Sequence, residues 1–522
     1  MRRPYPPHPP HLPFLPLLLF ALLCSGCLSR PTPDPNIIVV AIQAGPNNLD
    51  PRFATDDAAQ KSDELMFNSL MRLDEHLRVV PDLAARLEIP SPTTYVATLR
   101  RGVKFHDGRE LTSEDVVFTY QSVLDPKVLS SLRGGYRELE RVEARDRYTV
   151  VFTLKDPFPS FPINLVLPGI VPAGAGRAFR DHLVGTGPYR FVRYLADDRL
   201  ELAPFDGYFG GAPRNHGVIL KIVPDDIMRG LELRKGTADI VVNDLSPDLV
   251  YQLKGNGRLQ EIESPGVDYQ YIGLNLRDPV LRDVRVRQAL AYAVDRHAIV
   301  DYLRRGLATP AVGLMPPLSW AFAPDIFSFP HDPARARALL DESGYPDPGG
   351  GAPRFRLSFK TSQEQEFNRL QATVIQQNLQ EIGVALDVRS YEFATLYADV
   401  LNGNFQMYSL QWTAGSLADP DMLRRVFHSQ QAPPAGFNRG HFSDAGIDAL
   451  LDEAATSTDE PRRLELFHEV QRRVAIEVPY ISLWNKTNFA IAQRSLSGVR
   501  LSPRADLMFL KDVVRGRPPA AN

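Results

Sequence analysis

The pattern that most restricts this chain is a run of alternating strand and helix signals in its C-terminal half. Residues 354–360 alternate apolar and polar positions as a strand does. Phe367, Leu370, Val374, Leu379 and Ile382 then fall on one helical face, and Gly383 stands where a helix stops. A strand over 384–389, a helix over 393–401 and a strand over 405–411 complete β-α-β-α-β. Such an alternation specifies an α/β layer architecture. An earlier unit has the same form: 218–223 reads as a buried strand, Pro224 opens a helix, Gly236 closes it, and 238–242 is the next strand. Two such units, separated by a long helix expected over 284–303, describe two lobes, and 522 residues exceed what one core organises.

The remaining segments are of the same kind. A β-branched apolar run at 37–43 reads as a strand, 57–73 as a helix, and 94–100 and 148–154 as alternating strands. Thr112-Ser113-Glu114-Asp115 has the form of a capping box opening a helix over 116–124. Leu464, Phe467, Val470, Val474 and Val478 stripe one more helix. A formal charge of −3 argues against a basic face for a nucleic-acid backbone, so the expected partner is a small molecule and no nucleic acid.

Residues 1–26 differ from the rest. Arg2 and Arg3 precede a Pro-rich stretch and an apolar run over 14–23, too short to span a bilayer and suited to a signal peptide. The run ends in Leu23-Cys24-Ser25-Gly26-Cys27, which resembles the lipobox of bacterial lipoproteins, with Cys27 as the lipid-bearing residue and Cys24 where Leu is usual. A plain secretory peptide cut nearby is the other reading. Cys24 and Cys27 are the only cysteines, so cleavage before Cys27 leaves one thiol and no disulfide. Residues 27–36 are a Pro-rich tether. A periplasmic or cell-surface location follows, with the lipid as the membrane anchor.

Several short motifs occur in order along the exported chain: Asn48-Leu49-Asp50-Pro51, Pro81-Asp82-Leu83-Ala84, Arg101-Gly102-Val103-Lys104-Phe105-His106-Asp107-Gly108 and Ser113-Glu114-Asp115-Val116-Val117-Phe118. Further on stand Gly185-Thr186-Gly187-Pro188-Tyr189, Val286-Arg287-Gln288-Ala289-Leu290 with Ala293-Val294-Asp295-Arg296, and Asp332-Pro333-Ala334-Arg335-Ala336. In this series, from about Asn47 to Trp484, the chain is similar to the bacterial solute-binding proteins of family 5, which include oligopeptide-, dipeptide- and nickel-binding proteins. Taken by their chemistry, most of these motifs are structural. His106-Asp107-Gly108 follows a strand and precedes a capped helix, the place of a turn. Gly185-Thr186-Gly187-Pro188-Tyr189 lacks the Lys-Ser/Thr of a phosphate loop and reads as a lobe-crossing turn. Arg285, Arg287 and Arg296 read as a solvated or lobe-bridging face.

The resemblance implies a two-lobed periplasmic-binding-protein-like α/β fold (type II, cluster C) with an inserted accessory domain. Carried onto this chain, the first lobe is 37–73 with 186–272 and 486–522, the accessory domain is 74–185 and the second lobe is 273–485. The ligand, a peptide by preference, lies between the lobes and is handed to the permease subunits of an ABC importer; a monomer without cofactor is expected. In peptide-binding members the segment after the last α/β strand reads roughly Trp-x-x-Asp, and that Asp meets the peptide's amine. Here it reads Trp412-Thr413-Ala414-Gly415-Ser416-Leu417-Ala418-Asp419-Pro420, with Gly415 at the acid's position. Asp419 could replace the missing acid, or the ligand could lack a free amine. Asn48, Tyr269, Tyr271, Trp412, Thr413, Ala414, Gly415, Ser416, Asp419, Asn438 and Arg439 form the expected ligand-binding set, Arg439 as a partner for a carboxylate.

A sugar oligomer, an opine or a metal chelate remains open as the solute, with His428 and His441 as conceivable chelate ligands. No metal site is expected, because those two histidines have no partner spacing. A secreted hydrolase would need Gly-x-Ser-x-Gly, His-Glu-x-x-His or a metal-spaced Cys/His cluster, and the sequence has none of them. No catalytic residue is assigned.

Overall fold

The computed structural model describes residues 34–516 except 55, 177, 178, 181, 364, 365, 414 and 416. The N-terminal apolar run, Cys27 and most of the tether lie outside the described residues.

One sheet of eleven strands runs through the molecule. Its centre is an antiparallel ribbon of two long strands, Leu259–Leu274 and Tyr480–Gln493. On one side Phe355–Ser362 pairs in parallel with Val384–Tyr391 and with Met407–Trp412, and the latter lies against the ribbon. On the other side Ile37–Ile42 pairs in parallel with Gly217–Ile222 and Ile240–Val242. Each parallel set is one of the α/β units expected from the strand and helix alternation. Burial of their apolar faces supplies the driving force: Val40, Val218 and Ile240 pack in one lobe, Phe359, Ile375 and Leu379 in the other.

Both lobes share the ribbon. Residues 259–265 pair with 487–493, and 269–273 pair with 480–485, with the register broken between Pro265 and Tyr269. Gly266 sits in that break. A Cβ there would lie 2.5 Å from the carbonyl oxygen of Lys486, so only glycine lets the two backbones approach. The crossing expected near 272 falls inside a continuous strand, beyond this break.

The accessory sheet has four antiparallel strands in the order Ala84–Ser91, Thr94–Leu99, Thr149–Leu154, Leu139–Asp146. Val116, Tyr120 and Val123 of the Ser113–Leu124 helix pack onto it against Tyr95 and Phe152. The capping box is present, with the Thr112 N–H donating to Asp115 at 2.9 Å. His106-Asp107-Gly108 is a turn, closed by the Gly108 N–H on the Phe105 carbonyl at 2.9 Å. The His106 ring then joins the accessory domain to Gly185-Thr186-Gly187. Its Nδ1 accepts from the Gly185 N–H at 3.2 Å, which leaves Nε2 to donate to the Gly187 carbonyl at 3.0 Å. Burial holds its pKa down at about 4, in keeping with a neutral ring. A Cβ on Gly185 or Gly187 would run into the Met66 backbone, at 2.0 Å and 2.5 Å respectively, so this motif is a close-packing turn.

Three expectations need correction. The helix expected over 57–73 ends at Met66, and Met71–Leu73 is a strand paired with Val79–Pro81. The apolar stripe runs on past the helix because Leu70 and Met71 are buried in the accessory core. The helix expected over 284–303 breaks after Ala293: Asp295 caps a new turn, accepting from the Ala298 N–H at 2.9 Å, and 299–303 is π-helical. Arg287 and Arg296 are buried rather than solvated. Arg287 donates to the carbonyls of Leu281, Arg282 and Glu477, and Arg296 to those of Ala291, Phe329 and Ser482. Their planar forks satisfy backbone acceptors left over at element ends. Arg285 is the exposed member of the three and pairs with Asp283 at 2.7 Å.

Candidate functional site

The period of two in the strand Leu259–Leu274 puts Tyr269 and Tyr271 on one face, and their rings stack at 5.6 Å. Trp412, opposite Tyr269 in the register, is parallel to Tyr271 at 6.3 Å, and Tyr480 stacks on Tyr271 at 4.1 Å. Arg439 enters this stack. It donates to the hydroxyls of Tyr271 at 3.1 Å and Tyr397 at 3.3 Å, and its guanidinium lies 4.8 Å from the Trp412 ring centre. It is 4% exposed, and among the described residues no carboxylate pairs with it. Burial pushes Tyr271, Tyr408 and Tyr480 far above the ordinary phenol range, so neutral hydroxyls and aromatic faces surround the cation. Four members of the expected set, Tyr269, Tyr271, Trp412 and Arg439, thus come together, but inside the core of the second lobe, which the ribbon enters beyond the register break and short of the crossing expected near 272.

Asn438 is a loop staple. Its amide donates to the carbonyls of His428 and Phe442 at 3.1 Å and 2.7 Å, and its Oδ1 accepts from the Phe442 N–H at 2.9 Å. His428 is buried beside Asp448 and Asp452, whereas His441 stands beside Arg277. Among the described residues no group of three or more His, Cys, Asp and Glu is placed to hold a metal. Asn48 closes an Asx turn, accepting from the Asp50 N–H at 2.9 Å ahead of the buried Asp50–Arg52 pair. Thr413 and Gly415 are exposed in the loop that follows Met407–Trp412, while Ala414 and Ser416 are outside the described residues.

Asp419 already has partners. The Ser160 hydroxyl of the accessory domain donates to its Oδ1 at 2.8 Å and accepts from Arg463 Nη2 at 3.0 Å. The Asp421 N–H adds a second bond to the same oxygen at 2.8 Å. Loss of hydration, and then the Asp421 charge, push Asp419 up to about 6. This trio ties the accessory domain to the second lobe.

Below Gly415 is a cavity of about 110 Å³ where all three parts of the molecule meet. Gly415 and Ala418 wall it from the second lobe, Val166 and Leu167 from the accessory domain, and the Asp57–Met66 helix with Phe67 from the first lobe. On that helix Ala59 and Asp63 lie four residues apart, with Phe67 at the C-cap, so Asp63 occupies the inward stripe. It is 7% exposed, and its Oδ1 is buried without a hydrogen-bond partner. Glu64 pairs with Arg504 from the C-terminal segment, yet its Oε2 is also buried and unpartnered. Burial, followed by the charges of Asp50, Glu64 and Asp56, pushes the Asp63 carboxyl well above its ordinary range. Sequence reasoning missed Asp63, Glu64 and Arg504. The usable signal was an acid on an otherwise apolar helical stripe; nothing local marks Arg504.

Two α/β lobes that share a ribbon and wall a cavity together with an inserted domain have the architecture of a binding protein. The chain belongs to the bacterial extracellular solute-binding proteins of family 5: the family profile described as "Bacterial extracellular solute-binding proteins, family 5 Middle" matches residues 78–434. It is 30% identical over 485 residues to the glutathione-binding protein GsiB of Salmonella choleraesuis (strain SC-B67), covering 90% of this chain and 93% of that one. It is 28% identical to the oligopeptide-binding protein AppA of Bacillus subtilis (strain 168), covering 94% and 95%. NikA from Brucella suis in complex with Fe(III)-EDTA shares the fold, with a TM-score of 0.84 over 92% of this chain and 100% of that one at 21% identity. The resemblance carried by the sequence motifs is borne out, and the chain is a binding protein rather than an enzyme.

Proposed function

We propose that this chain is the extracytoplasmic solute-binding lipoprotein of an ABC importer, and that it captures a small peptide in the interlobe cavity and delivers it to the membrane permease. The observation that carries the reading is the cavity itself: its walls come from both lobes and the accessory domain. A solute held there touches both lobes only when they are together, so its binding favours the closed form. Relatives named for oligopeptides and for glutathione support the peptide class.

In this reading the lobes are 37–73 with 186–272 and 486–522, and 273–485, with 74–185 as the accessory domain; the register break at 265–269 is the hinge. Thr413 and Gly415, both exposed, bring main-chain groups that can serve a peptide backbone. Tyr269, Tyr271, Trp412 and Arg439 hold that loop from beneath, Cys27 carries the lipid, and the molecule works as a monomer. Mass spectrometry of small molecules released from natively purified protein tests the peptide class. A peptide released unaltered is the expected result; a sugar oligomer, an opine or a metal chelate would overturn it. For the anchor, Cys27→Ala should move the protein from the membrane fraction to the soluble one, and full retention would refute the lipid assignment.

A further inference from the structure

The charged groups that wall the interlobe cavity do not balance. Asp63 and Glu64 bring two carboxylates, and Arg504, bound to Glu64, brings the one cation among the described wall residues. Two buried carboxylate oxygens, Asp63 Oδ1 and Glu64 Oε2, have no hydrogen-bond partner. Among the described residues, the second-lobe wall opposite them offers no side-chain donor, since Gly415 and Ala418 stand there. A buried carboxylate without a partner is costly, and such a group persists where something outside the chain completes it.

We propose that Asp63 is the cation subsite of the cavity: on closure it receives a primary ammonium group of the bound solute, with Glu64 Oε2 as a second acceptor. The inference rests on the solute-binding reading of this cavity and names the chemical class it selects. Three features favour an ammonium. The chain's own guanidinium, Arg504, already occupies one oxygen of Glu64. No group of three or more metal-ligating side chains exists among the described residues, which disfavours a bare metal ion. A primary ammonium carries three donors, enough to serve both unpartnered oxygens. The raised proton affinity of the Asp63 carboxyl, caused first by its burial, fits the same account, because a proton and a ligand cation relieve the same charge.

The test compares tri-, tetra- and penta-alanine with their N-acetylated forms by calorimetry on the full chain stripped of co-purified solute. Wild type should prefer the free amine by at least about thirtyfold, the low end of the effect of stranding one member of a buried charge pair. Asp63→Asn should abolish that preference while raising the melting temperature of the ligand-free protein. A variant that keeps the preference overturns the proposal, and so does a lowered melting temperature with unchanged affinity, which marks a structural acid. If wild type binds acetylated and free peptides equally, Asp63 is excluded and the peptide reading stands. If wild type binds neither form, the peptide reading falls, and dansylation of the solute carried through native purification decides Asp63. An amine-bearing solute retained by wild type and lost from Asp63→Asn supports it; a solute without an amine overturns it.

Discussion

The two walls of the cleft treat buried charge in opposite ways. In the second lobe the buried arginines described above are answered largely from within: Arg439 by phenols and aromatic faces, with only its Nε unpartnered, Arg463 by Ser160, Arg287 and Arg296 by backbone carbonyls. In the first lobe Asp63, on the cavity wall, keeps a buried carboxylate oxygen without a partner. A satisfied buried charge fixes a shape, because removing either partner strands the other. An unsatisfied one destabilises the chain that carries it and becomes favourable only when a ligand arrives. The second lobe reads as a rigid wall and the first as the wall that waits for charge.

The sharpest way to break this comparison is to remove the cation at the centre of the aromatic stack. Arg439→Ala deletes a buried side chain that contacts Trp412 and bonds Tyr271 and Tyr397. Cavity formation and two broken hydrogen bonds together should cost about 3–4 kcal/mol in urea denaturation. A loss below about 1 kcal/mol would show that the aromatic cage does not depend on its cation.

Next in size is a pH effect at the junction of the accessory domain with the first lobe. Burial holds His106 at about 4 in the folded chain against an ordinary 6.5. The unfolded chain takes up the proton first, so this contribution is complete above pH 6.5 and disappears as pH falls from 6.5 through 4. Over that window wild type should lose about 2–3 kcal/mol relative to His106→Gln. Asp63 has the opposite sign. Its folded carboxyl is raised above the ordinary 3.8, so its contribution is complete below 3.8 and is lost as pH rises through the folded value. At pH 7 Asp63→Asn should be more stable than wild type by about 1–2 kcal/mol in the absence of ligand. Denaturation curves across a pH series, referenced to each variant, should slope in opposite directions, and parallel slopes would erase the contrast between the regions.

Local signals made most of the fold legible. The strand and helix pattern at 354–411 is present nearly residue for residue, because apolar period, Gly383 and the short turns all agree. Reading failed where tertiary partners decide. Leu70 and Met71 continue a helical stripe but are claimed by the accessory core, and Asp295 looks like a surface acid in a helix until it caps a new turn. At the site, Tyr269, Tyr271, Trp412 and Arg439 stand in the expected ligand set one by one, Arg439 as a carboxylate partner, yet their stacking and depth inside the lobe depend on packing that no local pattern records. Asp63 was missed because a helical stripe is scored by its apolar members, and the polar exception on it is the informative residue.

Ser160 offers the smallest and most discriminating prediction. Its hydroxyl has one proton to give and lone pairs to accept with, and the structure uses both: Asp419 receives the proton and Arg463 donates to the oxygen. If Asp419 served mainly as a ligand charge partner, this bridge would be incidental and Ser160→Ala would change affinity as Asp419 relaxed. If the trio is instead an internal tie, Ser160→Ala should cost about 1 kcal/mol of stability. Asp419 keeps its bond from the Asp421 N–H in that variant, which limits the loss. Asp419→Ala should cost at least as much, since it also loses the bond from the Asp421 N–H, and the double variant should cost less than the sum because both singles break the Ser160–Asp419 bond. Peptide affinity should stay within about twofold throughout, since the tie lies between the accessory domain and the second lobe and its groups are already satisfied. Additive stability losses, or a loss of affinity in Ser160→Ala comparable to that in Asp63→Asn, would place the missing charge in the second lobe and reverse the assignment of the two walls.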